Sequence, residues 1–126
     1  MAATFADVAK SEYILLTTFT KDGRPKPTAI WAVPKGDGLI AITQEKSWKV
    51  KRIRNTSGVT IAPCDRAGKP KGDAVEAVAS ILDKSANGAT YDALGRRYGL
   101  LGKTFNVFSK LRGGMKNNVT IEIKPA

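Results

Sequence analysis

The sequence predicts a mainly β fold: a single domain built as a six-stranded antiparallel barrel, with short helices across its ends. Six short segments are rich in β-branched and aromatic residues, or alternate apolar with polar positions, which is typical of strands. The first three are joined by tight turns that contain glycine, and such turns join antiparallel neighbours. A small antiparallel sheet commonly closes into a barrel because closure removes its exposed edges. The 126 residues match the size of one domain.

The first half of the chain begins with a short helix and continues with three strands. Thr4 and Asp7 form a capping-box pattern, so we expect a helix to begin there. Asp22 and Gly23 mark a hairpin turn, and the proline and glycines of residues 34–38 mark a second turn. This order of strands and turns predicts an antiparallel meander. Its strands are residues 13–20, 27–33 and 39–43.

The second half combines a basic helix, three strands and two further helices. Val50 and Ile53 lie three residues apart in the basic segment 47–54, so both can face a core. The other elements follow the same periodicity rules. They are strands at residues 59–63, 74–82 and 118–124, a helix at residues 90–98, and a helix capped by Thr104 in which Phe105, Phe108 and Leu111 share one face.

Composition excludes several classes of site. The chain has no histidine and a single cysteine, Cys64, so histidine triads, histidine-ligated haem and zinc sites lack their ligands, and we expect no metal. Cys64 ends an apolar strand and is expected to be a buried small hydrophobic residue. No apolar run is long enough for a membrane span, and one cysteine allows no internal disulfide. We therefore expect a cytoplasmic protein.

The net charge of +10 favours an acidic partner, and the helix that begins at Ser47 is where an anion would bind. A helix N-terminus offers unpaired amide groups, Lys49 adds a full charge in the first turn, and Arg52 lies three residues further on. The alternative is a solvated basic face, which is the usual role of a charge run. A nucleic-acid surface would interleave several aromatic residues with the basic ones, and only Trp48 does so; we expect no nucleic-acid partner.

Three segments of the chain carry a family resemblance through their order and spacing. They are KDGRP at residues 21–25, SWKVKRIRN at residues 47–55, and APCD at residues 62–65 before Gly68 and Gly72. Together they resemble the pyridoxamine-phosphate-oxidase-like family, and most closely its branch that uses the deazaflavin cofactor F420. The resemblance covers nearly the whole chain. It implies a split β-barrel of the type that binds flavin mononucleotide (FMN), and a homodimer with the cofactor at its interface.

The resemblance also implies which residues meet the cofactor. The candidates for the ring system and ribityl chain are Thr28, Ala29, Ile30, Trp31, Ile42 and Thr43. Those for the phosphate are Ser47, Lys49 and Arg52, and Trp48 is a further candidate for cofactor binding. FMN oxidases of the family carry arginines at the positions of Thr28 and Trp48. Their replacement fits a cofactor whose phosphate bears an acidic tail, as in F420. The candidates to meet that tail are Lys69, Lys71, Arg96 and Arg97.

The resemblance therefore implies an F420-dependent oxidoreductase that transfers hydride between the cofactor and a small organic substrate. One alternative is an FMN-binding flavoprotein of the same fold. Another is a non-catalytic cofactor-binding protein, because no catalytic side chain can be named from the sequence. Tyr91, Tyr98 or water could supply a proton to the product. Trp31 could form part of the wall beside the ring or could equally be a core residue.

Overall fold

The computed structural model describes residues 4–99 and 117–126, with side chains of the third helix described as far as residue 96. Within these residues the chain forms seven strands in one antiparallel sheet, which curls into a split barrel. The spatial order is β2-β1-β5-β6-β7-β4-β3. The strands are β1 Tyr13–Phe19, β2 Pro25–Ile30, β3 Ala32–Lys35, β4 Gly38–Gln44, β5 Gly58–Cys64, β6 Val75–Ile81 and β7 Asn118–Pro125.

The mainly β antiparallel prediction is confirmed, but two details of it are wrong. The expected strand at residues 27–33 is two strands separated at Trp31, which raises the count from six to seven. β2 pairs with β1 and β3 pairs with β4, and these two hairpins lie at opposite ends of the sheet order, so the first strands do not form a meander. Residues 27–33 read as one strand because β-propensity is continuous through them, and a one-residue break leaves no signal in composition.

The first two helices begin where the sequence predicts. In α1, Phe5–Ala9, Thr4 accepts from the amide of Asp7 and the Asp7 carboxylate accepts from the amide of Thr4, so the capping box is confirmed. In α2, Trp48–Asn55, Val50 and Ile53 are buried as expected. The buried pair holds this helix against the barrel while its basic residues stay outside the core.

The third helix begins earlier than the sequence suggests. α3 is Asn87–Gly99, preceded by a 3₁₀ turn at Lys84–Ala86 that Asp83 caps by accepting from the amide of Ser85. Thr90, the expected start, is buried inside the helix and donates to the carbonyl of Ala86. The helix predicted from Thr104 lies outside the described residues. No helix in the described part of the chain is long and apolar enough to cross a membrane.

The core lies inside the curled sheet. Alternate residues of β1, β5 and β7 point inward and are fully buried, among them Leu16, Ile61 and Ile121. Thr18 occupies the same inward row of β1 as Leu16 and is also fully buried. A hydroxyl in such a row must find a partner, because an unpaired buried polar group costs roughly 1–3 kcal/mol. Its partner is a residue of α2, described below.

A buried polar cluster fixes α3 against β7. Thr120 donates to the side-chain oxygen of Asn87 at 2.9 Å, and the side-chain amide of Asn87 donates to the carbonyl of Asn118 at 2.8 Å. The side-chain amide of Asn118 donates to the hydroxyl of Tyr91 at 2.7 Å. Fully satisfied networks of this kind rigidify a packing arrangement. The result is that Leu94, on the next turn of α3, is held against Val33 and Ile40 beside the candidate site.

Candidate functional site

A groove of about 400 Å³ opens where the chain crosses from β2 to β3. Most of its wall is apolar, and Trp31 lies at the crossing itself. The ring of Tyr13 stands 6.0 Å from that of Trp31, at an angle of 49°. The described residues that line the groove are Tyr13, Ala29, Ile30, Trp31, Ile42, Thr43, Lys49, Arg66 and Leu94. Such an apolar slot with a few polar groups is the usual form of a small-molecule site.

The structure brings six of the ten sequence-predicted site residues together in this groove. They are Ala29, Ile30, Trp31, Ile42, Thr43 and Lys49. They come from distant parts of the sheet, because β2 and β4 stand near opposite ends of the strand order and the curl of the sheet lets both border one groove. Thr28, Ser47, Trp48 and Arg52 lie outside the lining. Thr28 stays on β2 opposite Leu16 and is partly buried.

The helix start behind the groove holds an unsatisfied polar group. Ser47 is the N-cap residue of α2, yet its side chain makes no capping hydrogen bond. Its Oγ is buried and has no hydrogen-bond partner among the described residues. An N-cap serine ordinarily accepts from an amide of the first helical turn, so this arrangement leaves both the hydroxyl and the first-turn amides available. An anion seated at the helix start would satisfy them.

Lys49 holds its positive charge in a partly buried position. The side chain is partly buried, and burial lowers the pKa of its ammonium group; the nearby charge of Arg52 lowers that pKa further. Both effects disfavour the protonated form of a lysine, and the attraction of a negatively charged neighbour offsets them. Two cations close to each other and to a helix N-terminus therefore form a position that gains stability when an anion binds.

Arg52 is fixed in place by the barrel wall. Its Nε donates to Oγ1 of Thr18 at 2.7 Å, which joins α2 to the inward face of β1. The Thr18 hydroxyl also lies 3.5 Å from the carbonyl of Lys26, toward which it donates. This bond uses one edge of the guanidinium and leaves its remaining N–H groups for a ligand. We call Ser47, Lys49 and Arg52 the anion corner.

Trp48 does not take part in the groove. Its side chain is 69% exposed, and the ammonium of Lys51 lies 4.4 Å from the centre of its ring. The contact is a cation–π pair on the outer face of α2. Trp31, in contrast, packs beside the Val33, Ile40 and Leu94 cluster and also lines the groove.

Sequence reasoning missed three lining residues and one support. Tyr13, Leu94 and Arg66 line the groove, but they come from elements that sequence spacing does not connect with it. Thr18 gave the one available signal, a polar residue in the inward row of an alternating strand. Of the proposed proton donors, Tyr91 is buried against Asn118 outside the groove, and the side chain of Tyr98 is not described.

Two other features of the described residues are not part of this site. Cys64 is buried as expected, and burial raises the pKa of its thiol, which keeps it protonated and unreactive. A larger groove of about 590 Å³ lies along β1, β5 and β6 and is lined by Lys21 and Glu76, charges of opposite sign. It contains none of the sequence-predicted residues. No group of three histidine, cysteine or acidic residues in the described part could hold a metal ion.

The geometry therefore suits a flat, largely apolar ligand that carries a negatively charged group. The ring of such a ligand would lie against Trp31 and the β2 and β4 residues, and its anion would meet the anion corner. Nothing in the described groove supplies an acid or base of its own, apart from Lys49, Arg66 and the Tyr13 hydroxyl. The chemistry of such a site would have to come from the ligand.

Comparison with known proteins gives a family match and several structural neighbours. A family model described as pyridoxamine 5'-phosphate oxidase matches residues 2–126. A search of curated proteins found no significant match.

The solved structures share the fold at low sequence identity. An F420 reductase is 21% identical, with a TM-score of 0.69 over 100% of this chain and 96% of that chain. A conserved hypothetical protein from Mycobacterium tuberculosis is 23% identical, with a TM-score of 0.72 over 99% of this chain and 82% of that chain. HutZ, the heme storage protein from Vibrio cholerae, is 15% identical, with a TM-score of 0.70 over 94% of this chain and 84% of that chain.

Proposed function

Because the chain belongs to the pyridoxamine 5'-phosphate oxidase family, we propose that it is an oxidoreductase that uses F420 to transfer hydride to or from a small organic substrate. The observation that carries the proposal is the anion corner, of which Lys49 lines the apolar groove. Ser47 has a buried, unpaired hydroxyl, and Lys49 bears a charge that burial destabilises. Both fit the phosphate of a flavin-like cofactor, which would accept hydrogen bonds there and restore the pKa of the lysine.

Each part of the groove has a separate task in this proposal. A reduced deazaflavin, when bound, supplies a hydride to an acceptor. Ala29, Ile30 and Ile42 would form the apolar wall that orients the ring and excludes water beside it. Trp31 would complete that wall at the strand crossing. Lys49 and Arg52 would hold the phosphate, and Thr18 would keep Arg52 directed toward it.

Three observations favour F420 over FMN. Thr28 and Trp48 stand where, by the resemblance, the FMN oxidases of the family carry arginines, so two positive charges of those enzymes are missing here. The net charge of +10 suits a cofactor with an acidic tail. A solved structure with the same fold is an F420 reductase. An FMN flavoprotein stays the second candidate, because the phosphate of FMN fits the anion corner equally well.

We also propose that the protein is a homodimer whose partner covers the cofactor. Family membership supports the dimer, as does the exposure of the groove on one chain. A heme-storage role like that of HutZ has less support, because this chain has no histidine to serve as a proximal ligand.

Equilibrium titration with F420 and with FMN tests the proposal. Trp48 is exposed outside the groove, so a Trp48→Phe variant leaves Trp31 as the fluorescent reporter inside it. We expect both ligands to quench this fluorescence and F420 to bind more tightly. Lys49→Ala should weaken binding about tenfold, the usual effect of one charge-assisted hydrogen bond to phosphate. Lys51→Ala, on the same helix but over Trp48, is the matched control.

Catalysis is tested separately by mixing the protein and reduced F420 with a panel of small organic acceptors. Oxidation that depends on the protein supports the enzyme, whereas binding without oxidation by any acceptor favours a cofactor-binding protein. Tighter binding of FMN than of F420 would favour the flavoprotein. If neither cofactor binds, the proposed function is wrong.

A further inference from the structure

The loop between β5 and β6 lies beside the groove and contributes to its lining. The Asp65 carboxylate accepts from the amides of Ala67 and Lys69 at 2.9 and 2.8 Å, and the amide of Asp65 donates to the carbonyl of Lys69. Gly68 has a φ of +89°, in the region that favours glycine, and a β-carbon at this position would lie 3.8 Å from the side chain of Ala29 and 3.9 Å from that of Leu15. The loop is thus a fixed turn seated on the outer face of β1 and β2.

This turn places Arg66 in the groove lining. Arg66 makes no ion pair and no side-chain hydrogen bond with the residues that the structure describes. The neighbouring Asp65 is engaged with the loop amides, so its carboxylate does not bind the guanidinium. The described lining contains two charged side chains, Lys49 and Arg66, and both are cations.

The two cations act at separate positions. Lys49 follows β4 on α2, whereas Arg66 belongs to the wall made by β1, β2 and the loop. Burial and Arg52 lower the pKa of Lys49, and Arg66 is not among the causes. The anion corner therefore accounts for Lys49 and leaves Arg66 without a ligand group. A guanidinium matches a carboxylate well, because its planar fork can donate two parallel hydrogen bonds.

We propose that Arg66 is a second anion-binding position in the groove and that it receives a carboxylate. This inference rests on the proposed function, in which the phosphate occupies the anion corner and the ring fills the apolar part between. The carboxylate can come from an acidic tail on the cofactor or from the substrate. In either case the groove favours ligands with negative charge at two places.

The test compares Arg66→Gln with Lys51→Gln. Both variants lose one positive charge, but Lys51 is exposed over Trp48 on the outer face of α2 and does not line the groove. The probes are F420, which carries carboxylates, FMN, which carries none, and benzoate added to the cofactor-saturated protein. We expect Arg66→Gln, and not Lys51→Gln, to weaken carboxylate binding about fivefold, as suits an exposed arginine–carboxylate pair.

The outcomes separate the two sources of the carboxylate. Weaker binding of F420 with unchanged binding of FMN assigns it to the cofactor, and weaker benzoate binding with unchanged cofactor affinity assigns it to the substrate. If Arg66→Gln matches Lys51→Gln with every probe, the inference is overturned. If the wild-type protein binds neither cofactor, the proposed function fails on its own. Benzoate titration of the free protein then tests Arg66: weaker binding to Arg66→Gln supports the inference, and equal binding overturns it.

Discussion

At the scale of one residue, Lys49 shows how folding can prepare a side chain to bind an anion. The barrel leaves its ammonium partly dry, and burial together with Arg52 lowers its pKa. The protonated side chain is therefore less stable in the folded chain than in water. A bound anion removes this penalty, so part of the affinity for phosphate comes from relief of an unfavourable state that folding creates.

A Lys49→Met variant should reveal this penalty through the pH dependence of stability. A lysine whose pKa is lowered by folding destabilises the protein below the folded pKa, and the penalty disappears as the pH rises from the folded pKa toward the usual value of 10.5. We expect the variant to be at least as stable as the wild type at pH 7. The difference should shrink as the pH rises through the alkaline range, as measured by urea unfolding of both proteins. A wild type that is more stable at pH 7 would contradict this.

Thr18 shows how a residue can affect a ligand without touching it. Its fully buried hydroxyl accepts from Nε of Arg52, and this bond sets the direction in which the guanidinium lies. The contact joins positions 34 residues apart in the chain. Thr18 is therefore a positioning residue for the anion corner.

Thr18→Val keeps the size of the side chain and removes the hydroxyl. We expect FMN affinity to fall about fivefold while riboflavin, which has no phosphate, binds as before, because one oriented charge-assisted hydrogen bond is lost. Thr18→Ser should restore the ratio of the two affinities. Thr17→Val, on the outer face of the same strand, is the control. Equal losses for FMN and riboflavin would indicate a general effect on packing instead.

At the scale of elements, α1 and α2 differ in whether the side chain at the N-cap position makes a capping hydrogen bond. Thr4 and Asp7 satisfy each other's backbone groups at the start of α1. The hydrogen bonds with Thr4 lower the pKa of the Asp7 carboxyl group and so favour its ionised form. Ser47 occupies the same position on α2 and makes no such bond. The first helix start is therefore satisfied by its own side chains, whereas the Ser47 hydroxyl at the second has no partner among the described residues.

Substituting each cap by alanine tests this difference. Thr4→Ala should reduce the free energy of unfolding by about 1 kcal/mol, the usual value for a working N-cap. Ser47→Ala should change it by less than about 0.5 kcal/mol, since no capping bond is lost. The same Ser47 variant should bind FMN more weakly. Urea unfolding and fluorescence titration measure the two effects, and a large stability loss in Ser47→Ala would show that its hydroxyl caps the helix after all.

At the scale of the whole molecule, the sheet depends on close contact between β4 and β7. These strands pair from Leu39 opposite Ile123 to Gln44 opposite Asn118, and they join the β3–β4 hairpin to the rest of the sheet. Gly38 begins β4 at a point where a β-carbon would overlap the carbonyl oxygen of Ile123. The backbone atom cannot rotate away as a side chain can, so the register at this end requires glycine.

Gly38→Ala should therefore destabilise the protein by roughly 2 kcal/mol, as overpacking in a well-filled structure does. Gly95→Ala is the control, because no atom lies within reach of a β-carbon there and alanine is the better helix former by about 1 kcal/mol. Urea unfolding should thus show opposite changes for the two variants. Equal stability of Gly38→Ala and the wild type would mean that the β4–β7 register can shift at little cost.

Local sequence patterns predicted most elements of the described fold and part of the site. The β-branched and aromatic residues of β1, the alternation along β6, the strand at β7, the Thr4 capping box, and Val50 with Ile53 on α2 are short-range features, and each element appears where the pattern places it. The break at Trp31 was missed because no periodicity changes there. The start of α3 at Asn87 was missed because the capping residue, Asp83, lies four residues earlier and caps a 3₁₀ turn that leads into the helix.

The sequence by itself determined the antiparallel β class, the basic helix with its inward-facing pair, and the excess of positive charge, because these depend on residue type and near-neighbour spacing. The tertiary structure alone decided which charges become ligand positions. Lys49 and Arg66 share a groove only because the sheet curls, and Arg52 is directed only because Thr18 faces it from another strand. Burial and distance set the chemistry of a charged group, and neither is defined until the chain has closed on itself.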